Sequence, residues 1–162
     1  MIDHKFKKKF GQNFLQDNNI IKKIASVCDT KKDDLIIEIG PGSGALTKEL
    51  VTKSKVLAYE IDNELKDHLL SEFNNVDFIF DDFLNRNIKE DLSNYEYNDL
   101  YVIANLPYYI TTPIINKIIE EKIDVNKMVL MVQKEVGERF SAIVGTKDYS
   151  SINIFLNYIF DI

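Results

Sequence analysis

The string Asn105-Leu106-Pro107-Tyr108 combines residue types that suit chemistry on an aromatic amine. Such an amine is a poor nucleophile, because its lone pair is delocalised into the ring. The side-chain oxygen of Asn105 and the main-chain carbonyl of Leu106 can each accept one N–H and hold the amine beside an electrophile. Pro107 stiffens this backbone, and the Tyr108 ring offers a surface for an unstacked base. These four residues are the predicted catalytic group; an ordinary Pro-containing loop is the alternative.

A glycine-rich segment follows a short apolar run and opens the next predicted helix. Gly40, Gly42 and Gly44 have the spacing G-x-G-x-G, which differs from the dinucleotide-binding fingerprint G-x-G-x-x-G. Glycine allows a ligand to approach the backbone closely, although a tight turn without a ligand would look the same. Glu60 lies twenty residues after Gly40, where an acidic side chain can accept hydrogen bonds from both hydroxyls of a ribose.

A third candidate segment, Asp81-Asp82-Phe83-Leu84, follows another apolar run. The Asp82 carboxylate could accept a hydrogen bond from the amino group of an adenine, with Ile61 and Phe83 as apolar walls for the ring. Two solvated loop acids are the alternative for this segment alone. Together, the three segments supply a backbone cradle, a ribose acceptor and an adenine acceptor, so the sequence predicts a nucleoside cofactor.

Alternating apolar runs and amphipathic segments must position these side chains. Such alternation predicts an α/β fold with a mostly parallel sheet and helices on both faces. In such sheets, ligands bind beyond the carboxyl ends of the strands. The predicted strands are Leu35–Ile39, Lys55–Tyr59, Val76–Phe80, Leu100–Ala104 and Met128–Val132, and the predicted helices are a segment capped by Asp17 and ending near Cys28, Ala45–Thr52, Asn63–Phe73, Thr112–Glu121, Lys134–Phe140 and Ser151–Tyr158.

Composition limits the class of protein. The 162 residues are 45% hydrophobic and 28% charged, which suits one domain with a real core and predicts no membrane span. The single cysteine, Cys28, excludes an internal disulfide framework and a Cys-rich zinc site, so no metal site is predicted and a cytoplasmic location is expected. The net charge is −6, yet residues 1–11 are basic. We therefore predict a basic tail over residues 1–11 and one domain over residues 12–162.

Several strings together resemble the ribosomal RNA adenine dimethyltransferases of the KsgA type, a family of class I S-adenosylmethionine methyltransferases. The resemblance covers nearly the whole chain. The strings that carry it are KKFGQNFL over residues 8–15, EIGPGSGALT over 38–47, YEID around Glu60, DDFL around Asp82, NLPYYITTPII over 105–115, VQKEV over 132–136 and GTKDY over 145–149.

The resemblance implies a Rossmann-like fold and transfer of two methyl groups from S-adenosylmethionine to N6 of each of two adjacent adenosines in small-subunit rRNA. The substrate would be a hairpin in an immature ribosomal particle, with the Lys5–Lys9 cluster as a phosphate contact. Asn105 would touch both cofactor and target. The cofactor-binding set that the resemblance implies is Asn13, Leu15, Gly40, Gly42, Glu60, Ile61, Asp82, Phe83 and Asn105.

The chain also departs from the family. Tyr149-Ser150-Ser151-Ile152 stands where the family shows Tyr-Gly-x-Leu. The last two strands of the family's sheet and its helical C-terminal domain are expected to be missing. We therefore expect a monomer that binds the cofactor without efficient RNA methylation. The alternatives are a large-subunit rRNA adenine methyltransferase of the antibiotic-resistance branch and a non-catalytic rRNA-binding assembly factor or inactive fragment; a nicotinamide-dependent oxidoreductase fits neither the glycine spacing nor the Asn105–Tyr108 string.

Overall fold

Five parallel strands form one sheet in the part of the chain that the computed structural model describes, residues 17–105 and 109–162. The strand order is β3-β2-β1-β4-β5, so β2 and β3 lie on one side of β1, and β4 and β5 lie on the other. The strand order therefore reverses between the neighbouring strands β1 and β4. Ile39, the last residue of β1, pairs with Tyr59 on one side and Ala104 on the other. The strands are β1 Leu35–Ile39, β2 Lys55–Tyr59, β3 Val76–Ile79, β4 Leu100–Asn105 and β5 Lys127–Met131.

Both faces of the sheet are covered, as the predicted α/β fold requires. All five residues of β1 are buried, because a central strand of a parallel sheet has helices on each side. Leu35, Ile37 and Ile39 belong to one hydrophobic cluster and Ile36 to the other, which follows the two-residue period of a strand.

Helices supply the rest of each cluster. Helices α1 and α2 contribute to the cluster around Ile36, and α4 and α5 to the cluster around Ile37. The helices are α1 Asn18–Val27, α2 Thr47–Leu50, α3 Lys66–Glu72, α4 Ile88–Leu92, α5 Thr111–Glu120, α6 Lys134–Phe140 and α7 Ser151–Ile159.

The structure corrects several predicted bounds. Helix α2 is a single turn within the predicted Ala45–Thr52, and a 3₁₀ turn over Asn63–Leu65 precedes α3. Asp62, not Asn63, caps that turn, because its carboxylate accepts from Glu64 N at 3.2 Å. Helix α4 lies between two predicted strands, where the sequence predicted no helix.

Contacts within the chain fall into two compact units, Met1–Met131 and Val132–Ile162. The smaller unit contains α6 and α7. Asn153 of α7 is fully buried, and its amide group donates to the carbonyls of Arg139 and Phe140 at 2.6 and 3.0 Å. This one side chain therefore ties the two helices together. The prediction of a single domain over residues 12–162 stays a prediction.

Cys28, at the end of α1, has no solvent exposure. Burial raises the pKa of its thiol, and Lys127 and Lys53 oppose the shift through their charges. None of the helices within residues 17–105 and 109–162 combines the length and the apolar character needed to cross a bilayer.

Candidate active site

The glycine segment lies at the point where the strand order reverses. Gly40 N donates to Tyr59 O at 2.9 Å, which holds the start of the segment against the end of β2. Gly40 has a φ of +75°, a conformation that favours glycine. A Cβ built on Gly40 would meet no atom of the described residues nearer than Asn105 O at 4.0 Å. Among residues 17–105 and 109–162, no atom therefore fills the space beside Gly40 between the ends of β1 and β4.

Gly44, farther along the segment, has a different neighbourhood. Its φ is +84°, and a Cβ built there would lie 2.4 Å from Cε2 of Phe73. Gly44 is therefore required for close packing against the residue that follows α3, rather than for access to a ligand.

Glu60 braces the glycine segment from the end of β2. Its Oε2 accepts from Gly42 N at 2.9 Å, and its Oε1 accepts from Asp62 N at 2.8 Å. The residue is only 3% exposed. Burial raises the pKa of this carboxyl, and the backbone N–H groups of Asp62 and Gly42 counteract the shift. The predicted ribose acceptor thus also holds two backbone segments together.

Glu38 is a second buried acid beside this segment, and the sequence prediction did not include it. Burial raises its pKa to about 8, with a smaller contribution from the negative charge of Glu60. The nearby Thr47 hydroxyl lowers this pKa, which opposes the effect of burial. Its geometry falls short of an ordinary hydrogen bond, because Oγ1 of Thr47 and Oε2 of Glu38 are both buried without a hydrogen-bond partner. A charged residue inside the apolar run of β1 was the signal that could have identified this position.

The segment after β3 folds into a 3₁₀ turn over Phe83–Asn85 that Asp82 caps. Oδ1 of Asp82 accepts from Leu84 N at 2.9 Å, and Oδ1 of Asp81 accepts from Asp82 N at 2.8 Å. Phe83 is buried in the core and packs edge-to-face on Tyr59, with ring centroids 5.0 Å apart. The ring of Phe83 is thus a core group, whereas Ile61, the other predicted wall, is 41% exposed.

Asn105 is the last residue of β4 and pairs with Met131 of β5. It is half-buried and lies beside Gly40, as the prediction of a shared site requires. The structure therefore brings together the ends of β1, β2 and β4. Leu106, Pro107 and Tyr108 lie outside the described residues, as do Asn13, Leu15 and the Lys5–Lys9 cluster, so their predicted roles stay predictions.

The amino-acid sequence is similar to those of known proteins. The chain is 45% identical over 164 residues to the ribosomal RNA small subunit methyltransferase A of Macrococcus caseolyticus (strain JCSC5402), an alignment that covers 98% of this chain and 55% of that relative. It thus spans about half the length of the curated relatives it matches.

Solved structures show the same fold. A dimethyladenosine transferase from Plasmodium falciparum superposes with a TM-score of 0.75 at 32% identity, over 90% of this chain and 52% of that one. The 23S rRNA methyltransferase ErmE superposes with a TM-score of 0.67 at 29% identity, over 78% of this chain and 50% of that one. The predicted class I, Rossmann-like methyltransferase fold is confirmed. Because residues 3–162 match the family described as Ribosomal RNA adenine dimethylase, the chain belongs to that family.

Proposed function

We propose that this chain carries the catalytic core of an S-adenosylmethionine-dependent methyltransferase acting on small-subunit rRNA. The reaction is transfer of methyl groups to N6 of two adjacent adenosines, which gives N6,N6-dimethyladenosine. One observation carries the proposal most directly: Gly40, which no other described residue crowds, lies beside Asn105 at the reversal point of the sheet. Ligands of open α/β sheets bind at such a point.

The residues at the strand ends fit the proposed cofactor. The space beside Gly40 leaves room for a ligand against the backbone, and acidic side chains follow β2 and β3. A carboxylate has about four lone-pair sites, so Glu60 can accept from ribose hydroxyls while it keeps its bonds from Gly42 N and Asp62 N. Asp82 can likewise accept from the adenine amino group while it caps the turn that follows.

When bound, the cofactor would supply an electrophilic methyl group on a sulfonium. The chain's own contribution is to bind and orient the target amine. In the proposal, the Asn105 side-chain oxygen and the Leu106 carbonyl each accept one N–H of that amine. Tyr108 stacks on the extruded base. The protonated product is acidic enough to lose its proton to water, so no catalytic base is needed.

The RNA target and its setting rest on the relatives. A protein 45% identical to this chain is named a ribosomal RNA small subunit methyltransferase, and we assign this chain a hairpin of small-subunit rRNA in an immature particle as its substrate. We place this activity in the cytoplasm, as the sequence predicted. The similarity to ErmE makes a large-subunit rRNA adenine the second candidate.

A methyl-transfer assay with radiolabelled cofactor tests the proposal. The chain is incubated separately with immature small subunits and with large subunits that lack the modification, and the methylated nucleotides are mapped. Label on two adjacent adenosines of small-subunit rRNA supports the proposal even at a low rate, and efficient turnover would contradict only the expectation that this chain methylates RNA poorly. Label on a large-subunit adenine favours the second candidate. Calorimetric titration with S-adenosylhomocysteine measures cofactor binding independently of turnover, and absence of binding contradicts the proposed function.

A further inference from the structure

A chain of polar contacts connects the end of β2 with the segment after β3. The Tyr59 hydroxyl donates to Oδ2 of Asp91 at 3.2 Å. Arg86 donates to the same carboxylate through two nitrogens, from Nε to Oδ2 at 3.1 Å and from Nη2 to Oδ1 at 2.5 Å. Nη1 of Arg86 lies 3.8 Å from Oδ2 of Asp81, which completes the connection. Arg86 therefore joins two carboxylates, one on α4 and one two residues after the end of β3.

The Asp81 end of this connection fixes the backbone of the neighbouring residue. Asp81 uses one carboxylate oxygen toward Arg86 and the other to accept from Asp82 N at 2.8 Å. Asp81 therefore contacts both Arg86 and the backbone N–H of Asp82 in the segment that follows β3. Arg86 does not contact the proposed adenine acceptor itself, but acts on it through Asp81.

The Tyr59 end of the connection lies next to the proposed ribose acceptor, Glu60. Tyr59 is 1% exposed, and its ring also packs edge-to-face on Phe83, the residue after Asp82. Burial raises the pKa of Tyr59, so its hydroxyl stays protonated and remains a donor to Asp91. Two contacts of the Tyr59 side chain, one with Asp91 and one with Phe83, therefore link the segment after β3 to the end of β2.

The geometry of Arg86 requires a guanidinium. Its planar group binds Asp91 with two parallel hydrogen bonds and still reaches Asp81 with a third nitrogen. Asp91 is 7% exposed, whereas the Arg86 side chain is 37% exposed. A lysine would keep the positive charge but could not hold both carboxylates in this planar arrangement.

We propose that Arg86 is a positioning residue that, through Asp81, aims Asp82 at the amino group of the cofactor's adenine. This inference rests on the proposed function, because it assumes a cofactor with an adenine at this edge. According to this inference, a residue that does not contact the amino group helps the protein to distinguish an adenine from a base that lacks this group.

The test compares two ligands that differ only in this group. S-adenosylhomocysteine carries the 6-amino group, and S-inosylhomocysteine carries a carbonyl oxygen there. The Kd of each is measured by calorimetry for the unsubstituted chain, for Arg86→Lys and for the matched control Arg139→Lys. Arg139 is the other arginine of the sequence and lies on α6, in the smaller unit.

We expect the unsubstituted chain to prefer S-adenosylhomocysteine. Arg86→Lys should weaken that ligand about tenfold, which corresponds to about 1.4 kcal/mol, and weaken S-inosylhomocysteine much less. The Kd of S-inosylhomocysteine divided by that of S-adenosylhomocysteine should therefore fall in Arg86→Lys. Arg139→Lys should leave this ratio unchanged. A purely structural role for Arg86 would weaken both ligands equally, so an unchanged ratio in Arg86→Lys overturns the inference.

A second variant covers the case in which Arg86→Lys fails to fold. Asp81→Asn keeps an oxygen that accepts from Asp82 N but removes the charge that faces Arg86. The ratio should fall in this variant too, and an unchanged ratio overturns the inference. If the unsubstituted chain binds neither ligand, the proposed function fails, and this inference fails with it. If it binds both equally, this inference and the proposed contact of Asp82 with the amino group fail, whereas the proposed methyl transfer does not.

Discussion

Gly40 and Asn105 face each other across the ends of β1 and β4, with Asn105 O 4.0 Å from the position that a Cβ on Gly40 would occupy. The register of the two strands accounts for this, because Ile39 pairs with Ala104, and Gly40 and Asn105 are the next residues along the chain. The cradle and the start of the predicted amine-binding string are thus on adjacent strands. Each of these two parts of the candidate site can therefore be substituted by itself.

Replacing Asn105 tests the amine-binding role. Asn105→Ala should reduce methyl transfer to rRNA by about 100-fold, because one of the two acceptors for the target amine is lost. Binding of S-adenosylhomocysteine and of RNA should be largely kept. Initial rates with immature small subunits, together with the two Kd values, check this. Asn126→Ala, an exposed asparagine before β5, is the matched control, and an unchanged rate in Asn105→Ala would favour a binding protein.

Replacing Glu60 tests the brace on the glycine segment. Glu60→Gln leaves one carbonyl oxygen for two backbone donors, so either Gly42 N or Asp62 N loses an acceptor. A lost buried partner costs about 1–3 kcal/mol, and we expect S-adenosylhomocysteine to bind about tenfold more weakly. Calorimetry gives the Kd, with the exposed Glu72→Gln as control. Unaltered affinity would show that Glu60 neither braces the segment nor binds the ligand.

The pKa of Glu38 makes stability depend on pH. Its carboxyl ionises at about pH 8 in the folded chain and near the ordinary value of 4.5 when unfolded. Its contribution to stability is complete below about pH 4.5 and is lost as the pH rises through 8. Glu38→Gln cannot ionise, so between these values the stability of the variant relative to the unsubstituted chain should increase by on the order of 1 kcal/mol per pH unit.

Urea denaturation at intervals from pH 4.5 to 8.5 measures this difference. Glu72→Gln, at an exposed position, is measured alongside as the control. A Glu38→Gln curve parallel to that of the unsubstituted chain would show that the Glu38 carboxyl is ionised in the folded protein.

Gly44 has a positive φ and also lies close to the Phe73 ring, and substitutions can separate these two effects. In Gly44→Ala, the new Cβ would meet the Phe73 ring at 2.4 Å and would also sit at a φ of +84°. We expect a loss of roughly 2 kcal/mol or more in the free energy of unfolding. Gly145→Ala is the matched control, because Gly145 has a φ of +92° but its added Cβ would have no neighbour within 4 Å among the residues that the structure describes. Equal losses in both variants would mean that Phe73 moves aside without cost.

Lys122 ends helix α5 in a conformation better suited to glycine. Its φ is +50°, and Lys122 N and Ile123 N donate to Ile119 O and Ile118 O, the pattern of a Schellman motif. Lys122→Gly should therefore increase the free energy of unfolding by about 0.5–1 kcal/mol. Thermal and urea denaturation measure the change. Lys122→Ala keeps the Cβ and should show no such gain; if it does, the backbone conformation is not the cause.

The strands were the most predictable elements. Leu35–Ile39 is apolar at every position except Glu38 and is stopped by a glycine, and burial on both faces of a central strand favours such a pattern. Helix α4 was not predictable in the same way, because its five residues have no helical period long enough to detect among the polar residues around them. The contact of Asn87 Oδ1 with Glu90 N caps that helix.

The residue types of the candidate site were predictable, but their partners were not. Glu60 was identified by its distance along the chain from Gly40, whereas its bonds to Gly42 N and Asp62 N depend on how two loops fold toward each other. Arg86 gave no signal, since one arginine in a polar segment has no pattern. The connection through Asp91 arises only because α4 brings residues 86 and 91 beside the end of β2.

The enclosure of Cys28 gives this protein an internal reporter of its own opening. A thiol-reactive dye can modify the sulfur only in molecules in which the covering side chains have moved away, since the folded state offers it no access. With one cysteine in the sequence, every modified molecule records one such event. Labelling rates over a range of ligand concentrations would thus measure how far a bound small molecule suppresses local opening around Cys28, without any engineered probe.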